Sequence, residues 1–374
     1  MPGKRPFGST LLGRSLLIAG AVLTALLCLE IGARIVAALD RNYLDELVSG
    51  RHVRRAGEEL TLADLLRVVA NPRIVYALQP GARGTFRGAP ATINSYGIRD
   101  AERPVEKRPG VFRIVGLGDS HMFGWGVPRE ETFLTQLESL VERTRPGGVE
   151  VWNLAVPGYN TVQEVQTFAE TRDELDADAV ILNWVANDMD LPNFLQESPS
   201  VWSLRKSFLR EVVRRRRARR KGRHPMPLGL VAVEQDPKTG RYRPPPADVP
   251  ERFRPLAGTE NMLAALDRLG QLAKERGITP VLLLNWDDYA GRLAGRSRDV
   301  LPAWVRQLAR RCASNGYVVV DPQDRITDYL LRHRLGNQAL WVTPTDSHTS
   351  ALRHRLVAEE LVDSLGATGI LPRR

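Results

Sequence analysis

Two patterns of apolar residues alternate through most of the chain. Short runs rich in β-branched residues read as strands: Phe112–Leu117, Val149–Leu154, Ala179–Val185, Pro280–Asn285 and Tyr317–Val320. Between them, Glu130–Arg143, Thr161–Leu175, Glu260–Arg276 and Ser297–Ser314 place apolar residues three or four positions apart, with Glu, Arg and Lys in the gaps. That is the spacing of a one-faced helix. A further helix is predicted after Ser350. Strands separated by helices cannot pair as hairpins, so the pattern predicts an α/β fold of three layers, α/β/α, around a five-stranded parallel sheet. Ala179–Val185 shows little polar alternation, as a strand covered on both faces should. Ligands of such sheets bind beyond the carboxyl ends of the strands. The residues just after each strand are therefore the candidates for chemistry.

The N-terminal segment follows neither pattern. Ser15–Leu29 carries no charge, and extension to Leu39 adds only Glu30 and Arg34. Those two lie four apart with the acid first, so a helix lets them pair. A bilayer span needs about 20 residues, and the stretch to Leu39 predicts a transmembrane helix. No small-x-small cleavage pattern follows it, which favours an uncleaved anchor over a signal peptide. Lys4, Arg5 and Arg14 precede the segment, a bias that puts the N-terminus inside and the body outside the cytoplasmic membrane. The expected organisation is residues 1–39 as cytoplasmic N-terminus and anchor, 40–108 as linker and pre-domain segment, and 109–370 as the α/β domain. An insertion at 190–258 interrupts that domain.

Charge sharpens the picture at one place. The chain has a net charge of +10, and the eleven basic residues between Arg205 and Arg223, opposed only by Glu211, account for all of it. A nucleic-acid surface usually spreads basic residues over a broad face with aromatics among them. This run is local, so it reads as a solvated or membrane-hugging segment, with Arg214–Arg223 able to meet anionic lipid or polysaccharide. The insertion leaves the sheet edge that carries Asn187. Leu191–Phe208, with Trp202, is expected to form part of a lid or acceptor site. Only two cysteines occur, Cys28 and Cys312. They exclude a disulfide scaffold and a cysteine zinc site, and no histidine pair has metal spacing. Neither a metal nor an organic cofactor is expected.

The strand ends carry the chemistry. Gly118-Asp119-Ser120-His121 follows the first strand, Pro157-Gly158 the second and Asn187-Asp188 the third, while Asp346-Ser347-His348 precedes the last helix. A serine hydroxyl needs an adjacent base to become a nucleophile. His348 can be that base, with Asp346, two residues earlier on a loop, orienting its ring. The Ser120 and Gly158 backbone N–H groups and the Asn187 amide can donate to an oxyanion. Asp119 and Asp188 read as structural. The acid pairs Asp188/Asp190 and Asp287/Asp288 read as solvated or substrate-contacting residues. His121 reads as a pocket wall and His354 as a packing residue. Gly116-x-Gly118 lacks the third position of a dinucleotide fingerprint, where His121 stands. Met122 removes the G-x-S-x-G elbow of ordinary α/β-hydrolases.

Four such blocks in this order resemble the SGNH/GDSL hydrolase family from about Asn94 to Leu365. Asn94-Ser95-Tyr96-Gly97-Ile98-Arg99 is similar to its membrane-anchored bacterial members. The resemblance implies a flavodoxin-like SGNH domain with Ser120 as nucleophile, Asp346 and His348 completing the triad, and Gly158 and Asn187 completing the oxyanion hole. It implies a membrane-anchored serine esterase acting on acyl esters, O-acetyl above all, of an envelope glycan or lipid. An O-acyltransferase using the same triad, and a non-catalytic envelope glycan-binding or assembly protein, remain as alternatives. His121, Val185 and Arg353 stand where the family usually has Leu or Phe, Gly and Gly.

Overall fold

A computed structural model describes residues 11–40, 42–44, 59–144, 146–196, 202–203, 207–234, 249–286, 289–295 and 301–371. The chain divides into two compact units, Met1–Arg54 with Glu197–Gly229, and Arg55–Gln196 with Leu230–Arg374.

The second unit is built on the predicted sheet. Its strands are β1 (Phe112–Leu117), β2 (Val149–Asn153), β3 (Ala179–Trp184), β4 (Thr279–Leu284) and β5 (Val318–Val320). All pair in parallel, in the order β2-β1-β3-β4-β5. The order reverses direction at β1, and sheets of this kind bind ligands beyond the carboxyl ends of the strands at such a switch point. Every residue of β3 is buried, as its apolar run requires.

The helices around the sheet are α2 (Phe133–Glu142), α3 (Thr161–Leu175), α5 (Thr259–Arg276), α6 (Ala303–Ser314), α7 (Gln323–His333) and α8 (Ala351–Ala367). On one face Val165 and Phe168 of α3, Leu266 and Leu269 of α5 and Leu308 of α6 pack on Val115, Val180, Leu182 and Leu282. Strand side chains alternate between faces, and the other face is covered by α2, α7 and α8. Asn160 caps α3, its side chain accepting from the Gln163 backbone N–H. Ser350 caps α8 in the same way through Arg353 N–H.

Three boundaries differ from the pattern. The helix predicted over Glu130–Arg143 breaks at Thr132, whose extended backbone separates a 3₁₀ turn, Arg129–Glu131, from α2. The helix predicted from Ser297 is helical from Ala303, just after Pro302; residues 297–300 lie outside the described residues. Asp346 and His348 belong not to a loop but to a hairpin of Trp341–Thr343 with Asp346–Thr349. Residues 59–92 add short strands that the pattern did not mark.

In the first unit, α1 (Leu11–Leu39) is long and apolar enough for a membrane span or a signal sequence. Arg34 pairs with Glu30 at 2.8 Å. The insertion contributes α4 (Phe208–Arg220), and Glu30 holds its start by accepting from Ser207 Oγ at 2.9 Å, Phe208 N at 3.0 Å and Leu209 N at 2.8 Å. A carboxylate on the first N–H groups of a helix satisfies donors that lack intrahelical partners. On α4, Arg214 pairs with Glu211, and buried Arg215 bonds both Glu211 and Met226 O. Lys4, Arg5, Arg205, Lys206, Asp287 and Asp288 fall outside the described residues, as do 197–201 and 204–206 of the expected lid.

Candidate active site

Ser120 opens a single helical turn, Ser120–Phe123, immediately after β1. Asp119 caps that turn, its Oδ1 accepting from His121 N at 2.9 Å. Asp119 is buried, which raises its carboxyl, while bonds from His121 and Asn187 and the nearness of His348 oppose the rise. The chain then passes through Gly124, Trp125 and Gly126.

The C-terminal hairpin brings its own residues to this turn. His348 Nε2 lies 2.9 Å from Ser120 Oγ, and His348 Nδ1 lies 2.5 Å from Asp346 Oδ1. Residues two apart on a strand point the same way, which is how one strand supplies both groups. Burial would raise the Asp346 carboxyl, but bonds from the His348 ring and backbone and from Trp125 outweigh it and hold the group below its ordinary range. Asp346 is thus a carboxylate that can support a charged imidazole. The side chains of His348 and Asp346 remain 26% and 30% exposed, so solvent reaches them.

The strand ends on either side of β1 supply the other predicted residues. After β2, Val156 N bonds Gly118 O at 3.0 Å, which lays the 154–158 segment beside the approach to Ser120. Gly158 has φ +81°, and a Cβ there would stand 2.5 Å from Asn193 Cβ, so only glycine fits. After β3, Asn187 lies in the 3₁₀ turn Ala186–Met189, with its side chain close enough to the Asp119 carboxyl to oppose the rise that burial causes there. Asp188 anchors that turn, its Oδ2 accepting from Thr161 Oγ1 at 3.0 Å and Val185 N at 3.3 Å. Asp188 and Asp190 are buried, which rules out the solvated alternative for this acid pair, and Asp188 has the structural place expected of it.

This combination of a strand-end serine turn and a separate Asp-x-His hairpin has a counterpart in sequence. The profile of the GDSL-like lipase/acylhydrolase family matches residues 117–356. The chain belongs to this family. It is a hydrolase of the SGNH/GDSL ester-cleaving type. Similar solved structures include a catalytic mutant of Axe2, an acetylxylan esterase from Geobacillus stearothermophilus, at 14% identity and TM-score 0.39, covering 68% of this chain and 94% of that one. The psychrotrophic esterase EstA from Pseudoalteromonas sp. matches at 11% identity and TM-score 0.38, covering 68% and 97%. A G-D-S-L family protein from Desulfitobacterium hafniense DCB-2 matches at 15% identity and TM-score 0.38, covering 68% and 99%. No curated protein matches the chain.

The departures of this GDSL-type chain from the usual family pattern each have a local partner. His121 Nδ1 lies 2.9 Å from Thr349 Oγ1, tying the serine turn to the hairpin. Val185 donates its N–H to Asp188. Arg353 is buried, donates to Asn285 Oδ1 at 2.5 Å and lies over the Tyr289 ring at 5.2 Å. His354 accepts from Phe133 N at 3.2 Å; burial, then the charges of His121, Arg99 and Arg353, push it well below its usual range, so it stays neutral.

Two residues at the site escaped the sequence reading. Trp125 Nε1 donates to Asp346 Oδ2 at 3.1 Å, and its ring stacks on His348 with centroids 4.5 Å apart and planes 10° apart. Arg99 donates to the carbonyls of Phe123 (2.8 Å), Gly124 (2.5 Å), Val127 (2.6 Å) and Pro90 (3.0 Å), stitching the loop that bears Trp125. The glycines flanking Trp125 were the only local signal for the first. For the second, it was the position of Arg99 at the end of the Asn94–Arg99 block.

Proposed function

We propose that the chain is a membrane-anchored serine esterase that hydrolyses acyl esters, O-acetyl above all, on a cell-envelope glycan or lipid. The observation that carries the reading is the run of two hydrogen bonds from Ser120 Oγ through the His348 ring to Asp346, 2.9 and 2.5 Å long. Ser120 Oγ attacks the ester carbonyl carbon while His348 Nε2 takes the hydroxyl proton. The Ser120 and Gly158 N–H groups and the Asn187 amide stabilise the oxyanion. Collapse breaks the ester C–O bond, and His348 returns its proton to the departing alcohol. Water then attacks the acyl-serine with His348 again as base, releasing the carboxylic acid and free Ser120. Asp346 stays ionised throughout and holds the imidazolium. Partial exposure of His348 and Asp346 favours water as the second acceptor.

In this reading α1 spans the cytoplasmic membrane, with the N-terminus inside and residues 40–374 on the outer side. Arg214–Arg223 meets anionic lipid or polysaccharide there. The test is labelling with a fluorophosphonate probe, followed by mapping of the modified residue. Ser120 is the expected site, with p-nitrophenyl acetate turned over by the parent and not by Ser120→Ala. Labelling elsewhere, or equal turnover by the variant, would refute the triad.

A further inference from the structure

We propose that Trp125 is a positioning residue that holds the His348–Asp346 pair in register with Ser120 from two sides, by a hydrogen bond to the carboxylate and by stacking on the imidazole. The inference rests on the triad assigned above. Asp346 uses Oδ1 for the His348 ring and Oδ2 for the Trp125 indole N–H, so the carboxylate cannot swing without breaking one of the two bonds. His348 has its Nε2 directed at Ser120 and its face against the indole, which limits rotation about the bond that would carry Nε2 away. The same indole face attracts the imidazolium formed during acyl transfer.

The indole is itself held on several sides. It is 8% exposed. Phe86 meets it edge-on at 4.8 Å, and the Arg87 guanidinium lies 4.9 Å from its centroid. Trp125 N also donates to Ser120 O at 3.2 Å, so indole and nucleophile share one turn. At Gly126, with φ +73°, a Cβ would stand 2.7 Å from Val342 Cγ1; a larger residue would push the loop off the hairpin. Arg99 fixes the loop from beneath through its carbonyl bonds. Phe86 and Arg87, on the Trp125 ring, and Arg99, on the carbonyls of its loop, thus tie the segment ahead of β1 to the triad.

The experiment compares parent, Trp125→Phe and Trp125→Leu as full chains in detergent, by kcat, KM, thermal midpoint and the pH profile of kcat/KM. Among the described residues, Asp346, Asp119 and His121 are the titratable groups that act on or touch His348, and the Arg87 guanidinium lies on the Trp125 ring. All of them stay in both variants. Phe keeps a ring face and loses the N–H. Its kcat should fall about tenfold, or about 1.4 kcal/mol, with KM within twofold. Its acidic limb should move to higher pH, because Asp346 regains charge for the imidazolium. Leu loses both contacts; its kcat should fall about a hundredfold, and its limb should lie below that of Phe. Both variants holding kcat within twofold of the parent would overturn the inference. So would equal losses with limbs at the parental pH, which mark a packing role alone. Failure of the parent itself to be labelled at Ser120 would instead sink the triad, and the inference with it.

Discussion

Glu164, in the first turn of α3, is 1% exposed, and neither carboxyl oxygen has a hydrogen-bond partner among the described residues. Burial, then the charges of Asp188 and Asp119, push its carboxyl well above the ordinary range. The folded chain therefore keeps a proton there that the unfolded chain releases above about pH 4.3. A raised carboxyl contributes stability that is full below the unfolded value and is lost as pH rises, until the folded carboxyl itself ionises. The slope is at most RT ln 10 per pH unit, so a carboxyl that stays protonated in the folded chain costs it on the order of 2–3 kcal/mol of stability between pH 5 and pH 7. Glu164→Gln keeps the shape and removes the titration. At about 2 °C per kcal/mol for a large domain, the thermal midpoint of the variant relative to the parent should climb by up to about 5 °C over that interval. Circular dichroism melts of the full chain in detergent at pH 5, 6 and 7 measure it. Parallel curves, with a constant difference across pH, would show that Glu164 titrates alike in folded and unfolded chains and would refute the reasoning.

On the proposed mechanism Asn187→Ala removes one of the three oxyanion donors and should lower kcat on p-nitrophenyl acetate by about 10²–10³ with KM little changed; parental kcat would take Asn187 out of that role. Gly158→Ala places a methyl 2.5 Å from Asn193 Cβ at φ +81°. The strain, about 1–2 kcal/mol before the clash is counted, should cut kcat at least tenfold; parental kinetics would mean that the turn yields freely. Arg99→Met strips a donor from the carbonyls of Phe123, Gly124, Val127 and Pro90. At about 1–3 kcal/mol for each buried group left without a partner, the thermal midpoint should drop by several degrees, with kcat falling further than the unfolded fraction explains.

The sheet was legible because its central strands are buried on both faces and therefore read as mainly apolar runs, broken only by residues such as Arg113 and Glu150. β1 and β3 begin where the pattern begins, at Phe112 and Ala179, and their ends match within one residue. The hairpin bearing Asp346 and His348 was not legible as strands. The strand that bears them, Asp346–Thr349, is polar and mostly part-exposed, and strands so short carry no periodicity. α7 was missed because Gln323–His333 hides its apolar stripe, Ile326 and Leu330, among six charged or titratable residues.

Local order in the chain determined the fold class, the apolar N-terminal helix and the turns that carry Ser120, Gly158 and Asn187 past the carboxyl ends of their strands, since burial pattern and turn chemistry act over a few neighbouring residues. What lies beside those turns was decided only by tertiary structure. That His348 meets Ser120, that an indole from the adjoining loop grips both His348 and Asp346, and that Arg99 ties the loop down are contacts between segments up to 228 positions apart. Such contacts follow from how whole layers pack, because a hydrogen bond depends on distances of a few tenths of an ångström that no spacing along the chain encodes.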